Sequence, residues 1–335
     1  MSEFRVPIVR IKGFGKHPNA DTLSITQVEG CNTIFKTGDF EVGDLAIYIP
    51  RDAIVPKEVP GTEFLNADRR VRAVRLRGIY SEGVLLPFSR NYEEQFGITT
   101  DVWEGGDVAA TLGITKYIEP VPIHMRGEVE SPLSYGPVYD IENGRKYSTV
   151  IEPGCNVVVT EKIHGTNFRA CWDSERGFMV GSHNNWWKYS DGNLYWEAAK
   201  RYDLANLLQK HPGLVVYGEV FGQVQDMKYD SKPGQNWLRI FDIYIGPERR
   251  WMDWNTLKSH ALTSVLQMVP VLFEGPFDLA AVEKMSDGPS TIASHFREGV
   301  VVKSVEERTD LTIGRIILKW VGETYKLRKK GTEMH

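Results

Sequence analysis

Thr160-Glu161-Lys162-Ile163-His164-Gly165-Thr166-Asn167-Phe168 lies near the middle of a 335-residue chain and follows directly on Val157-Val158-Val159. The β-branched run predicts a buried strand, and the glycine predicts a turn at its end. Lys162 then sits where a rigid element aims its ammonium outward. It is a candidate covalent nucleophile, and a solvated surface lysine is the competing reading.

Beyond this stretch, Phe168–Trp172 and Gly177–Gly181 flank Asp173-Ser174-Glu175-Arg176 as a hairpin, and apolar spacing predicts a helix from about Leu194 to Gln209. Four further strands are predicted at Leu214–Gly222, Arg239–Tyr244, Glu298–Lys303 and Arg315–Val321, with helical patterns between the second and third. Glu219, Asp242, Glu298, Lys303 and Lys319 interrupt these otherwise apolar strands, where an unpaired charge is costly. Each alone reads equally well as an edge carboxylate or its ion-pair partner. Together with Lys162 they describe a nucleophilic amine, carboxylates for a divalent cation and lysines for phosphate oxygens. Trp186-Trp187 reads either as a base-stacking pair or as core.

The first part of the chain has a different texture. From Val6 to about Ile118, short β-rich segments alternate with breakers such as Gly38-Asp39, Gly43-Asp44 and Pro60-Gly61, and Leu45–Ile49 alternates cleanly. This spacing predicts a small β-barrel, and His17-Pro18-Asn19-Ala20-Asp21-Thr22-Leu23 resembles the opening of tRNA-binding-type OB domains, which hold oligonucleotides on one face. Gly13-Phe14-Gly15-Lys16 lacks the spacing of a phosphate loop and runs into His17-Pro18, not a helix start. Prolines and glycines crowd the stretch from about 119 to 154, which predicts a connector. The expected organisation is an OB-type nucleic-acid-binding domain at 1–119, a connector and lead-in at 120–154, and a catalytic domain at 155–335.

A composition of 41% hydrophobic and 25% charged residues is ordinary for a globular protein, and a net charge of -4 argues against coating nucleic acid by bulk charge. Local basic runs remain at Arg69, Arg70, Arg72, Arg75 and Arg77 and at Lys326, Arg328, Lys329 and Lys330; each fits a solvated face or a phosphate-binding one. No run approaches eighteen apolar residues, so no membrane span is expected, and three unpaired cysteines without a CxxC spacing suit a reducing compartment. A cytoplasmic protein is the expectation.

In order, Glu161-Lys162-Ile163-His164-Gly165-Thr166-Asn167, Tyr217-Gly218-Glu219, Phe241-Asp242-Ile243-Tyr244, Glu298–Lys303 and Leu318-Lys319 resemble motifs I, III, IIIa, IV and V of the covalent nucleotidyltransferases. The Lys-x-His-Gly-Thr-Asn form is similar to ATP-dependent RNA ligases of the phage T4 second-ligase type, and the leading OB domain to a subgroup first known from Deinococcus. The resemblance implies an α+β fold, an OB-type barrel followed by antiparallel sheets with flanking helices. It also implies ATP with magnesium or manganese as cofactors, RNA as partner, and no obligate protein partner. Lys162 would take AMP from ATP, pass it to an RNA 5′-phosphate, and a 3′-hydroxyl would displace it.

By the same resemblance Glu219 and Glu298 serve the metal, Phe241 stacks on adenine, and Lys303 and Lys319 hold the α-phosphate. Glu161, His164 and Asn167 complete the nucleotide site. A lysine at about pKa 10.4 is neutral in roughly one molecule per thousand near pH 7.4, a handicap of about 4 kcal/mol that the site must remove. Two departures stand out. Trp320-Val321 follow Lys319 where a second lysine is expected, leaving its role empty or with Lys326, and Ser182-His183-Asn184-Asn185 replaces a hairpin arginine, so His183 takes its contact. DNA ligases and capping guanylyltransferases carry an OB domain after motif V; the sixteen residues after Lys319 favour RNA ligase over those, and the presence of Lys162, Glu219 and Glu298 argues against a non-catalytic RNA-binding protein.

Overall fold

Val157, Val158 and Val159 are all fully buried, yet they do not share a core. Val157 and Val159 pack with Val300, Val302, Leu318 and Trp320, whereas Val158 packs with Phe168, Val216, Leu238 and Ile240. A strand covered on both faces needs β-branched residues at consecutive positions, which is the run the sequence carries. In the computed structural model, which describes residues 4–87, 90–98, 103–118 and 122–328, this strand is Asn156–Lys162.

The chain divides into two units, Met1–Ile118 and Glu119–His335. In the second, a five-stranded sheet runs in the order Glu142–Asn143, Ile317–Val321, Gly299–Ser304, Asn156–Lys162, Val271–Pro276. A seven-stranded antiparallel sheet centres on Thr166–Asp173, Leu214–Gly222 and Asn236–Ile245. The turn Ile163–Gly165 carries the chain from one sheet to the other. Residues 119–154, expected as a connector, supply edge strands to both sheets: Val129–Glu130 pairs with Trp186–Trp187, and Glu142–Asn143 runs parallel to Ile317–Val321.

Register decides which side chains meet. Lys162 lies opposite Gly299, Thr160 opposite Val301 and Val158 opposite Lys303, while Val301 lies opposite Lys319. Directly opposed residues project to one face of a sheet. Lys162, Lys303 and Lys319 therefore share a face, in successive rows. On the other sheet Asn167 lies opposite Glu219. The pairing of Leu214–Gly222 with Asn236–Ile245 slips between Tyr217 and Gly218, leaving Phe241 as an extra residue. This bulge moves the apolar phase from Leu238 and Ile240 to Ile243, so Asp242 points away from that core.

The expected helix is two helices, Leu194–Arg201 and Leu204–Gln209, because Asp203 takes a left-handed conformation with φ 49°. Asn193 caps the first, its side-chain oxygen accepting from the amides of Tyr195 and Trp196. In the first unit, Leu45–Ile49 is the middle strand of a three-stranded antiparallel sheet. Ile47 and Ile49 pack with Ile8, Val55 and Leu86, and Ala46 and Tyr48 pack with Ile11, Phe35 and Phe40, so both faces of this strand are covered. Part of the arginine run is spent inside this unit: Arg69 donates to the carbonyls of Val55, Pro56 and Thr62, Arg70 pairs with Asp52 and Arg72 with Asp68. Lys329 and Lys330 lie outside the described residues.

Candidate active site

Lys162 Nζ sits 2.7 Å from Glu298 Oε1 at the strand ends, and 20% of the lysine side chain remains exposed. A partner on the neighbouring strand fixes the amine while leaving it reachable. The second oxygen, Glu298 Oε2, is buried without a hydrogen bond and lies 3.8 Å from His164 Nδ1. Asn167 Oδ1 is likewise buried without a partner. Unmet acceptors of this kind are rare because desolvation is costly, and they suit a cation or the hydroxyls of a ligand.

The turn that presents Lys162 is held tightly. A Cβ on Gly165 would stand 2.2 Å from the Val220 carbonyl oxygen, so only glycine fits there. The Gly165 amide donates to Glu219 Oε1 at 3.1 Å, and Gln225 Nε2 donates to the Gly165 carbonyl. Burial pushes the Glu219 carboxyl up to about 8, opposed by nearby Lys162 and reinforced by Glu298. At neutral pH Glu219 is therefore largely protonated until a cation arrives. Among the described residues no group of three or more His, Cys, Asp or Glu could hold a metal ion. Glu219 and Glu298 alone fit an ion completed by substrate oxygens, as magnesium sites commonly are.

Phe241 is half-buried, its ring centroid 4.6 Å from that of Tyr139. Lys319 lies on the Lys162 face; burial holds the His183 imidazole below its usual range against Asp140, with Arg169 and then Lys319 helping to lower it. His183 Nε2 stands 3.4 Å from Asp140 Oδ1. Trp186 is core, and half-buried Trp187 stacks on Tyr195.

Three expected roles are revised. Glu161 faces away from Lys162: its carboxylate accepts from Ser290 Oγ, Thr291 N and Thr291 Oγ1 at 2.5–2.8 Å, so both side-chain oxygens already have partners. Lys303 is buried and donates to Asp242 Oδ2 at 3.0 Å, an oxygen that also accepts from Arg315 at 2.7 Å and Tyr139 at 2.8 Å. Glu307 closes the network on Arg315. Two carboxylates and two cations thus balance each other, so these strand charges need no ligand. Burial alone would raise Asp242, but Arg315 and Lys303 outweigh it and hold the carboxyl below its usual value. His164, expected beside phosphates, is 3% exposed with both ring nitrogens taken: Nε2 is 2.8 Å from Asp226 Oδ1 and Nδ1 is 2.9 Å from the Tyr325 hydroxyl.

Gln225, Asp226 and Tyr229 were not singled out in sequence. Tyr229 accepts from the His164 amide at 2.6 Å. They follow the Glu219 strand directly, and Val224-Gln225-Asp226-Met227 after a strand that ends in glycine was the available signal.

Residues 156–321 match the RNA ligase family model, and residues 5–88 match an OB-fold domain model. Among solved structures, a Naegleria gruberi RNA ligase mutant with ATP and manganese aligns at TM-score 0.81 and 23% identity, covering 96% of this chain and 98% of that one. The Naegleria gruberi RNA ligase with pyrophosphate aligns at TM-score 0.79 and 24% identity, covering 96% of this chain and 97% of that one. No curated protein matches the chain. No helix among the described residues is long and apolar enough to cross a membrane. The chain therefore carries an RNA ligase family domain over residues 156–321 behind an OB-fold domain, in an α+β architecture of largely antiparallel sheets.

Proposed function

We propose that the protein is an ATP-dependent RNA ligase that joins RNA 3′-hydroxyl and 5′-phosphate ends through a lysyl-AMP on Lys162. The observation that carries this reading is the 2.7 Å Lys162–Glu298 pair with unsatisfied acceptors beside it, set in a domain of the RNA ligase family. Glu298 is the base within reach of the Lys162 proton. The freed amine attacks the α-phosphorus of ATP and pyrophosphate leaves. An RNA 5′-phosphate oxygen then takes the AMP and returns the amine, and a 3′-hydroxyl displaces AMP to close the strand.

Glu219 and Glu298 would hold a magnesium or manganese ion, which supplies neutralisation of phosphate charge. Asn167 and the Glu219 carboxyl, side by side in register, would orient the ribose and phosphate, while Lys319 and His183 would face the phosphates. Phe241 would stack on adenine from its seat against Tyr139. Solved Naegleria gruberi RNA ligase structures with ATP and manganese, and with pyrophosphate, support this pairing of nucleotide and ion.

The substrate we favour is a nick in an RNA duplex or an RNA-containing hybrid, sealed in cytoplasmic RNA repair, with the OB domain holding the strand beside the break. Free thiols at Cys31, Cys155 and Cys171 suit that compartment. The test is a duplex with a 5′-labelled nick, incubated with ATP and magnesium or manganese. Sealing is expected when the 3′-hydroxyl strand is RNA; no ligated product from any RNA end, nicked or single-stranded, would refute the proposal.

A further inference from the structure

Tyr325 and Arg328 lie beyond the matched residues 156–321, yet they close a network on the nucleophile turn. Arg328 Nε donates to Asp226 Oδ2 at 2.9 Å, and its guanidinium lies 3.5 Å over the Tyr325 ring. Asp226 Oδ1 meets His164 Nε2, and the Tyr325 hydroxyl meets His164 Nδ1. A carboxylate oxygen only accepts, so Nε2 carries the proton. Neutral imidazole then has an acceptor at Nδ1, which the Tyr325 hydroxyl fills as donor. The short helix Glu323–Lys326 that carries Tyr325 is itself anchored, with both Asp287 oxygens accepting from the amides of Glu323 and Thr324.

We propose that Tyr325 and Arg328 are positioning residues for the Lys162 reaction, Tyr325 directly and Arg328 through Asp226 fixing one tautomer and one orientation of His164. The inference rests on the ligase reading above. Its chemical consequence lies at Glu298. With Nδ1 occupied by the Tyr325 hydroxyl, the imidazole offers no proton to Glu298 Oε2 at 3.8 Å, and that oxygen stays open for a ligand. Losing the hydroxyl removes one of the ring's two holds and losing Arg328 loosens the other, and a ring so loosened can turn a proton toward Glu298 and cap it. The C-terminal helix thereby controls how the carboxylate that pairs with the nucleophile is used.

Two variants test this in the full-length chain. Tyr325→Phe keeps the ring under Arg328 and removes only the hydroxyl; Arg328→Ala removes the hold on Asp226. Both are expected to keep the wild-type melting temperature within a few degrees. At saturating ATP, AMP-lysine formation is expected to slow at least tenfold, with the ATP concentration for half-maximal rate moving less than threefold. A purely structural role would move melting and nucleotide affinity together. Rates within twofold of wild type in both variants would overturn the proposal. Imidazole nitrogen NMR on histidine-labelled protein, with the His164 signal assigned by its loss in His164→Gln, gives a readout independent of catalysis. The wild-type ring is expected as the Nε2–H tautomer, with its Nδ1 signal shifted in Tyr325→Phe and the uniform tautomer lost in Arg328→Ala. A responsive ring in protein that takes no AMP would sink the ligase reading alone, while a ring indifferent to both substitutions sinks this one.

Discussion

Lys162 and Glu219, on strands of different sheets, must each give up a proton. The amine has a carboxylate at 2.7 Å and must give up a proton to react, whereas the Glu219 carboxyl is pushed up to about 8 and must give up a proton to meet a cation. A divalent cation held by Glu219 would favour loss of its proton, and Glu298 is the proposed acceptor of the lysine's. Before ATP arrives, Glu219 costs stability at alkaline pH. Its ordinary value is 4.5, so the folded state binds the proton more tightly; the resulting stabilisation is complete below about 4.5 and lost as pH rises through about 8. Glu219→Gln, which keeps the neutral shape, should melt with wild type at pH 5 and above it at pH 9. A variant melting below wild type at pH 9 would contradict the assignment.

Among the strands, the bulge at Phe241 sorts the lysines into two kinds. It turns Asp242 away from the core that holds Leu238 and Ile240, into contact with Lys303 and Arg315. Lys303 is thus a structural cation, while half-buried Lys319, one strand over on the same face, is the lysine proposed to face phosphate. Lys303→Met should lower stability by about 3–5 kcal/mol, the usual cost of stranding a buried charge, as thermal or urea unfolding would measure. Lys319→Ala should leave unfolding nearly unchanged and cut AMP-lysine formation at least tenfold; the reverse pattern would undo the sorting. The strands and their charges were legible in sequence because β-branched runs and interrupting polar residues are local signals. Partner choice was not, since it depends on a one-residue slip between Tyr217 and Gly218. For the same reason Asp226 escaped notice and Arg328 was read only as part of a basic run, the two being 62 and 164 positions from His164 with only register and loop path to bring them together. The break at Asp203 was hidden because the apolar spacing continues across it.

At the scale of the molecule, the chain is two units with separate cores, and every residue placed at the candidate site comes from the second. A chain starting at residue 119 should therefore retain AMP-lysine formation but seal nicks poorly, because the first unit is proposed to hold the strand and supplies no residue of the candidate site. Equal sealing by the shortened chain would remove that role from the first unit. That expectation, the metal and the RNA all depend on one covalent bond. Intact protein incubated with α-labelled ATP and magnesium or manganese, digested and sequenced by mass spectrometry, should show a single AMP on Lys162, discharged by pyrophosphate and missing in Lys162→Ala. AMP on another residue, label retained in Lys162→Ala, or transfer from GTP alone would contradict the account.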